Sequence, residues 1–327
     1  LLSSIKTQLY EALANADGEY LSGQALAEII GCSRTAIWKH IEELRKSGFE
    51  LEAIRKKGYR LISKPDTLTE HEIVFGLETK TIGRHVLYYD SVESTQIIAH
   101  KVAREGAQEG TLVIAGEQTG GKGRMARPWH SSNQKGIWMS LIVRPMLPPE
   151  KAPQFTLIAA IACAKAIEEV TGLEPNIKWP NDILYNGKKL TGILTELQGE
   201  ADKVNFLIIG IGINVNQKNE DFPEHVKDIA SSLEIESGQP VSKVKMIQKI
   251  LKYFEKYYVL YMEKGFAPLK ILWESYAGGI GKPIIARTIT GEISGTAIGI
   301  TDEGILLIED HEGNIKRIYS ADIEFPS

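Results

Sequence analysis

The sequence predicts an α+β protein in three consecutive parts: helices and a hairpin over residues 1–64, a larger body on a mixed sheet over 65–276, and a small all-β piece over 277–327. Three observations carry this. The N-terminal part changes from helical spacing of its apolar residues to alternation around a basic, glycine-containing turn. In the body several strand-like runs follow one another with no helix between them, which favours a mixed or antiparallel sheet over a doubly wound one. The tail carries short strands set off by turns at Thr290-Gly291, Asp302-Glu303-Gly304 and Glu312-Gly313. A length of 327 residues suits this division, at roughly 150 residues per domain with room for a small third.

Ile5, Leu9 and Leu13 give a helical stripe that ends near Asp17-Gly18. Ser22 is placed to cap a short second helix carrying Leu26, Ile29 and Ile30, broken at Gly31-Cys32. Ser33 caps a third, in which Ile37, Ile41 and Leu44 face the core while Arg34, Thr35, Lys39, Glu42, Arg45 and Lys46 do not; Gly48 ends it. Residues 49–54 and 59–62 then alternate around Arg55-Lys56-Lys57-Gly58, a hairpin with a charged tip. The order resembles a winged helix-turn-helix, whose third helix offers N-terminal side chains to base edges while the wing's cations meet phosphates. On that reading Arg34 and Thr35 read bases, Trp38 and Lys39 touch backbone or bases, and Arg55, Lys56 and Lys57 form the wing. A three-helix protein-docking module is the other reading, although its surface has no need of a basic wing. Residues 63–67, with Pro65, form the linker out.

Composition narrows the function. With 43% hydrophobic and 24% charged residues the chain is neither disordered nor of low complexity. No uninterrupted apolar run reaches the roughly 18–20 residues of a membrane span. Polar residues interrupt the apolar positions between Leu1 and Asp17, so that stretch reads as a helix and not as a signal peptide. Cys32 and Cys163, the only cysteines, fall in separate parts; two lone thiols predict a reducing, cytoplasmic setting and no structural zinc site. The net charge of −4 conceals an asymmetry, since residues 32–64 hold nine Lys and Arg against four acids. Such a patch on an acidic chain fits a nucleic-acid-binding module, or else a solvated charged face.

In the body, strands are expected over 86–90, 111–117, 136–144, 176–179, 189–198 and 204–215, and helices over 95–104, 153–170, 241–262 and 268–276. Four constellations there could carry chemistry. Gly120-Gly121-Lys122-Gly123-Arg124, continuing to Arg127 and Trp129, combines backbone freedom with cations, which suits a phosphate or carboxylate. It is neither a Walker loop nor a Rossmann fingerprint, and a flexible surface loop would read the same way. Lys178-Trp179-Pro180-Asn181-Asp182 offers Asp182 for a metal or an amine, or for an ion pair with Lys178 beside a turn. Lys188-Lys189-Leu190-Thr191-Gly192-Ile193-Leu194 puts a cation on an otherwise interior strand, either snorkelling or balancing a buried anion. In Ile209-Gly210-Ile211-Gly212-Ile213-Asn214, the two glycines share one bare strand face, suited to a planar ligand or to tight packing.

Taken in order with Ser94-Thr95-Gln96, these runs resemble the biotin–protein ligase family and, with the winged helix in front, its bifunctional ligase–repressor members. The resemblance covers almost the whole chain. It implies a class II synthetase-like catalytic fold, an SH3-like barrel for the tail, and a reaction in two steps. Biotin's carboxylate attacks the α-phosphate of Mg2+-ATP to give biotinoyl-5′-AMP and pyrophosphate; a lysine of a biotin carboxyl carrier domain then takes the acyl group. By the same resemblance Ser94, Thr95 and Gln118 bond to the ureido ring and its surroundings, and Gly192, Gly210 and Gly212 let backbone approach the ligand. Gly121, Gly123 and Asn214 complete the binding set. Lys122, Arg124, Lys178 and Lys189 supply positive charge for carboxylate and phosphate, and Asp182 assists at Mg2+ or receives the incoming lysine. The adenylate would act as corepressor, promoting a homodimer that binds operator DNA.

Two anions must meet in the first step, so cationic positioning is the main requirement and no protein nucleophile is needed. The family has Gly-Arg-Gly-Arg where this chain has Gly121-Lys122-Gly123-Arg124, and lysine cannot make the bidentate contact of a guanidinium. A lipoate–protein ligase and a ligand-sensing repressor without enzymatic activity are the competing readings. The Lys-Trp-Pro-Asn-Asp run and the winged helix favour biotin over the first; Arg124, Lys178 and Lys189 together favour catalysis over the second.

Overall fold

A computed structural model describes residues 5–46, 49–63, 68–131 and 134–326. The chain divides into two compact units, Leu1–Phe75 and Gly76–Ser327. The expected helix stop at Gly48 and most of the expected linker, 64–67, lie outside the described residues.

In the first unit, α1 (Ile5–Asn15), α2 (Gly23–Ile30) and α3 (Arg34–Lys46) precede a hairpin of β1 (Glu50–Ile54) and β2 (Gly58–Ser63), followed by α4 (Glu70–Val74). Ser22 and Ser33 cap α2 and α3 as expected, their hydroxyls accepting from the N–H groups of Ala25 and Ala36 at 3.0 and 3.1 Å. Leu9, Leu13, Leu26, Ile37, Ile41 and Leu44 are buried together, which is the core the helical stripes specify. Leu21 and Tyr59 exchange two backbone hydrogen bonds of 2.9 Å. That approach requires Gly58, which has φ of 115° and where a Cβ would stand 2.0 Å from the Leu21 carbonyl oxygen. The sequence reading does not anticipate α4, whose five residues are too few to show a period.

The second unit runs β3 (Val86–Val92), α5 (Thr95–Arg104), β4 (Leu112–Gln118), β5 (Ile137–Val143), α6 (Ala152–Thr171), β6 (Asn176–Lys178), β7 (Asp182–Tyr185), β8 (Lys188–Gly199), β9 (Val204–Ile213), α7 (Leu233–Ser237), α8 (Lys243–Lys264) and α9 (Ala267–Tyr276). These seven strands form a mixed sheet in the order β3-β4-β5-β9-β8-β7-β6, with β3 and β4 parallel and the other neighbours antiparallel. The helix-free strand runs predict this. Trp179 departs from expectation: it lies in a turn with a cis bond to Pro180, not in β6. β7 also escapes the sequence reading, because four residues next to the Asn186-Gly187 turn read as part of that turn.

Alternation gives the sheet two faces. On one, Val113, Ile142, Phe206 and Ile208 pack with Ala99 and Ala103 of α5. On the other, Thr195 of β8 accepts a hydrogen bond from Thr156 of α6 at 2.8 Å. α6 is apolar nearly all round because it is buried nearly all round, from Phe155 to Ile167. Among the described residues no helix is long and apolar enough to cross a membrane. Cys32 and Cys163 are free, and burial pushes the Cys163 thiol up in pKa, leaving it a packing residue.

The tail adds β10 (Pro283–Thr288), β11 (Gly291–Ile300), β12 (Leu306–Glu309), β13 (Ile315–Ile318) and β14 (Asp322–Glu324). They form an antiparallel sheet in the order β13-β12-β11-β10-β14. The last strand, β14, pairs with the first, β10, so the five strands make one antiparallel sheet from the two ends of the tail.

One tie holds the segment that leads into β3. Glu255 of α8 accepts backbone N–H bonds from Lys80, Thr81 and Ile82 at 2.7, 2.7 and 2.9 Å. Glu255→Ala strands those donors, and urea unfolding should show a loss of about 1–3 kcal/mol. A loss below about 0.5 kcal/mol would mean that water replaces the carboxylate at no cost.

Candidate functional site

Strand pairing sets Lys178 opposite Asp182, Asp182 opposite Gly192, Gly192 opposite Gly212, and Gly212 opposite Trp138. Directly opposed residues point to the same face. Motifs far apart in sequence therefore form one row across β6, β7, β8, β9 and β5. Farther along, α5 covers this face; at the row a cavity of about 620 Å³ opens. The glycine floor is present but not bare. A Cβ on Gly212 would stand 2.5 Å from the Trp129 indole nitrogen, one on Gly192 2.9 Å from the same ring, and one on Gly210 2.9 Å from the Gln96 carboxamide. In this structure the planar group laid on the floor is the Trp129 side chain, which meets Trp138 at 6.3 Å between ring centroids, edge to face.

One wall is polar. Ser94 precedes α5 without using its hydroxyl as the helix cap. The Thr95 N–H donates to Gln118 Oε1 at 2.8 Å, and Thr95 Oγ1 lies 3.1 Å from the same oxygen and 2.8 Å from Ser140 Oγ. Gln118 Nε2 in turn donates to Ser131 Oγ at 3.0 Å, so this amide is fixed between helix and loop. Gly121 does not line the cavity; its lack of a Cβ lets the loop close to within contact of Ser131 and Gln118. Gln96 donates through Nε2 to Glu196 Oε2 at 2.9 Å and to the Leu194 carbonyl at 3.3 Å, which leaves its buried Oε1 without a donor among the described residues.

The cations are placed differently from one another. Lys189 Nζ stands 2.7 Å from Asp182 Oδ1 and 5.2 Å from the Trp129 ring centre. The ion pair weighed for Lys178 and Asp182 goes to Lys189 instead, and Lys178 lines the cavity beside it. Arg124 also lines the cavity, but its guanidinium is directed to the tail: it donates to Ser320 Oγ at 2.9 Å, to the Ala321 carbonyl at 3.3 Å and to Asn181 Oδ1 at 3.3 Å. Arg127 pairs with Asp322 next door. Lys122 is exposed at the rim beside Gly123. Asn214 knits the end of β9 to β8, its N–H donating to the Leu190 carbonyl at 2.9 Å and Nδ2 to the Lys189 carbonyl at 3.4 Å. The two carboxylates at the cavity, Asp182 and Asp322, are each ion-paired, and no cluster of three metal-ligating side chains occurs among the described residues. These residues do not build a metal cage of their own.

Sequence reasoning misses the opposite wall. Phe222, His225, Val226, Ile229 and Ala230 line the cavity from an irregular segment with short turns at Asn219–Asp221 and Glu224–Val226. It has no period to read, and its one signal is the pair Phe222-Pro223 among polar residues. Trp129 and Asn181 stand in motifs already noted, yet spacing does not say that the indole turns onto the floor or that Asn181 reaches Arg124.

On the first unit Arg34, Thr35, Trp38 and Lys39 are exposed along α3, Trp38 to 58%. Arg55, Lys56 and Lys57 are exposed at the hairpin tip, with Lys56 at φ of 71°. Arg60 serves the wing from within: it donates to Glu52 Oε2 at 2.6 Å and lies 4.7 Å over the Tyr20 ring. Hydrogen bonds from Tyr20 and Arg60 hold the Glu52 carboxyl below its ordinary pKa.

Family models match three stretches: "HTH domain" over residues 6–60, "Biotin/lipoate A/B protein ligase family" over 88–214, and "Biotin protein ligase C terminal domain" over 279–325. The chain is 56% identical over 322 residues to the bifunctional ligase/repressor BirA of Bacillus subtilis, spanning 98% of this chain and 99% of that protein. To the bifunctional ligase/repressor BirA of Escherichia coli it is 29% identical, over 99% of this chain and 98% of that one. Among solved structures it resembles the biotin protein ligase of Aquifex aeolicus in complex with biotin and ATP, with a TM-score of 0.64 and 31% identity, covering 74% of this chain and 98% of that one.

Gly212→Ala tests the covered floor. The added methyl must push the indole aside, so tryptophan emission should shift to the red and stability fall by about 1–3 kcal/mol. The spectral shift should vanish in a Trp129→Phe background. Unchanged emission in the single variant would place the indole elsewhere.

Proposed function

The chain belongs to the biotin–protein ligase family, and from that membership and the cavity's geometry we propose how its residues serve the reaction. The protein joins biotin to protein at the expense of ATP, and its helix-turn-helix makes it a repressor as well. Biotin's ureido ring takes the polar wall, where Ser94, Thr95 and Gln118 supply hydrogen bonds. The dithiolane ring of lipoate has no N–H or carbonyl to offer them. The adenine of ATP takes the apolar wall of Phe222, Val226 and Ile229. Gly192 and Gly212 let the Trp129 indole lie flat beneath the joined product and Gly210 gives room to Gln96, while Gly121, Gly123 and Asn214 shape the edges.

One observation supports this reading: Lys178 and Lys189, with Arg124 and Lys122 nearer the rim, line one cavity that has a polar wall and an apolar one, and it is among these cations that the carboxylate of one substrate would meet the phosphate of the other. Two anions repel at contact distance, and fixed cations remove that repulsion while holding them in line. The biotin carboxylate forms the new bond to the α-phosphorus, diphosphate leaves, and biotinoyl-5′-AMP results. A carrier-domain lysine then attacks the acyl carbon and AMP leaves. Asp182, which is ion-paired with Lys189, then accepts that lysine's proton. Magnesium is read as part of the ATP chelate, since both cavity carboxylates are already paired. The adenylate acts as corepressor, favouring a homodimer that meets operator DNA through Arg34, Thr35, Trp38, Lys39 and the wing. The free thiols Cys32 and Cys163 fit a cytoplasmic setting.

Pyrophosphate release in the presence of ATP and Mg2+ should be at least ~1,000-fold faster with biotin than with lipoate, because a site built to hydrogen-bond a ring rejects one that cannot. Comparable rates would overturn the assignment of the polar wall. Replacing Arg55, Lys56 and Lys57 together with alanine should lower the log–log salt slope of operator binding by roughly 0.9 for each phosphate no longer neutralised. An unchanged slope would remove these residues from the DNA interface.

A further inference from the structure

The wall that periodicity does not reveal has to be held by something other than regular hydrogen bonding, since its segment contains two single turns and no longer helix before α7. Its far end is tied by backbone to Lys189, whose N–H donates to the Ile229 carbonyl at 2.8 Å and whose carbonyl accepts from the Ser231 N–H at 3.1 Å; its near end is tied through Asp221, whose side chain is only 10% exposed. The carboxylate accepts from Lys135 Nζ on both oxygens, at 2.8 and 2.6 Å, and from the Lys218 backbone N–H at 2.7 Å. The Lys135 carbonyl accepts from the Asn216 N–H at 2.9 Å, so backbone and side chain of one residue both grip this segment. Phe222, the next residue after Asp221, is buried at the cavity. Lys135, for its part, ends the loop that carries Lys122, Arg124 and Trp129, just before β5 begins.

We infer that the Lys135–Asp221 ion pair is a positioning latch for the nucleotide: it fixes Phe222 and the residues after it against the cationic loop, so that the two sides of the nucleotide's place are assembled as one. This rests on the ligase reading of the cavity. Phe222 and the residues after it form the wall assigned to the nucleotide, whereas Thr95 and Gln118 are fixed by bonds of their own to Ser140 and Ser131, so the latch acts on ATP and on the adenylate more than on biotin alone. The two partners are not equivalent. Lys135→Met leaves a nearly buried carboxylate without its counter-charge, whereas Asp221→Asn leaves a lysine that can turn to solvent and keeps an acceptor for the Lys218 N–H.

Steady-state pyrophosphate release by the full-length chain, with ATP and biotin varied separately, tests this. Lys135→Met should raise KM for ATP at least tenfold and Asp221→Asn by less, while KM for biotin stays within threefold; Lys135→Arg should restore the ATP value to within threefold. Dissociation of biotinoyl-5′-AMP, followed by stopped flow, should speed up in the same order. If Lys135→Met fails to fold, as a thermal melt would show, Asp221→Asn and Lys135→Arg still decide. An unchanged ATP KM in Asp221→Asn, or equal rises for ATP and biotin, overturns the latch. A wild-type chain that releases no pyrophosphate from ATP and biotin would instead overturn the ligase reading on which it stands.

Discussion

The register of β8 against β7 and β9 decides what the cavity contains. Residues on these strands alternate between the face with the glycine row and the face against α6, so a slip of one position would exchange the two. Ile193, Ile211 and Ile213 would then stand where Gly192 and Gly212 stand, and the floor would be filled. What prevents the slip is burial of the alternate residues: Ile193, Ile209, Ile211 and Ile213 are all at most 3% exposed. Burying one such side chain is worth about 1.5–3 kcal/mol, and several would lose their packing together. The apolar half of the Gly-Ile alternation therefore secures the position of the other half.

Given that register, the chemistry follows from which elements end at the row. α5 begins there, bringing Ser94 and Thr95; β4 ends there, bringing Gln118. The floor is strand, and the segments on either side of it that carry Lys122, Arg124 and Phe222 are irregular. Lys189 is the exception, a strand residue whose ammonium is held by Asp182 from the neighbouring strand. A cation on a strand cannot wander as one on a loop can, which suits the role proposed for Lys189 between two anions.

Much of the fold was legible because it rests on short-range physics. The caps at Ser22 and Ser33, the helical stripe of Ile37, Ile41 and Leu44, and the turns at Gly58 and Asn186-Gly187 are local, and each sits where the sequence puts it. The site was legible as a set of motifs but not as an arrangement. That Gly192 faces Gly212, or that Asp182 prefers Lys189 to Lys178, is a matter of which strands are neighbours, and one sequence does not state pairing. The Phe222 wall was illegible for another reason: its ties run to residues distant in sequence, Asp221 to Lys135 and Ile229 to Lys189, and no repeat runs through it. For the tail, the antiparallel sheet follows the sequence reading, while the barrel was an expectation from family likeness that strand pairing alone does not decide.

The bonds of Arg124 to Ser320 and Ala321, and of Arg127 to Asp322, span about 196 positions of chain. Synthesis on the ribosome runs from the N-terminus, so the cationic loop emerges long before the residues that hold it. A nascent chain that has completed all seven strands of the large sheet still lacks the partners of both arginines. Interactions of such separation form late and are the first to be withdrawn when an end frays or is clipped. The helix-turn-helix unit, complete by residue 75, has no such wait. On each new molecule the unit that meets DNA is assembled while the activating site is still unfinished, and a protease that nicks the tail would return an older molecule to that early state.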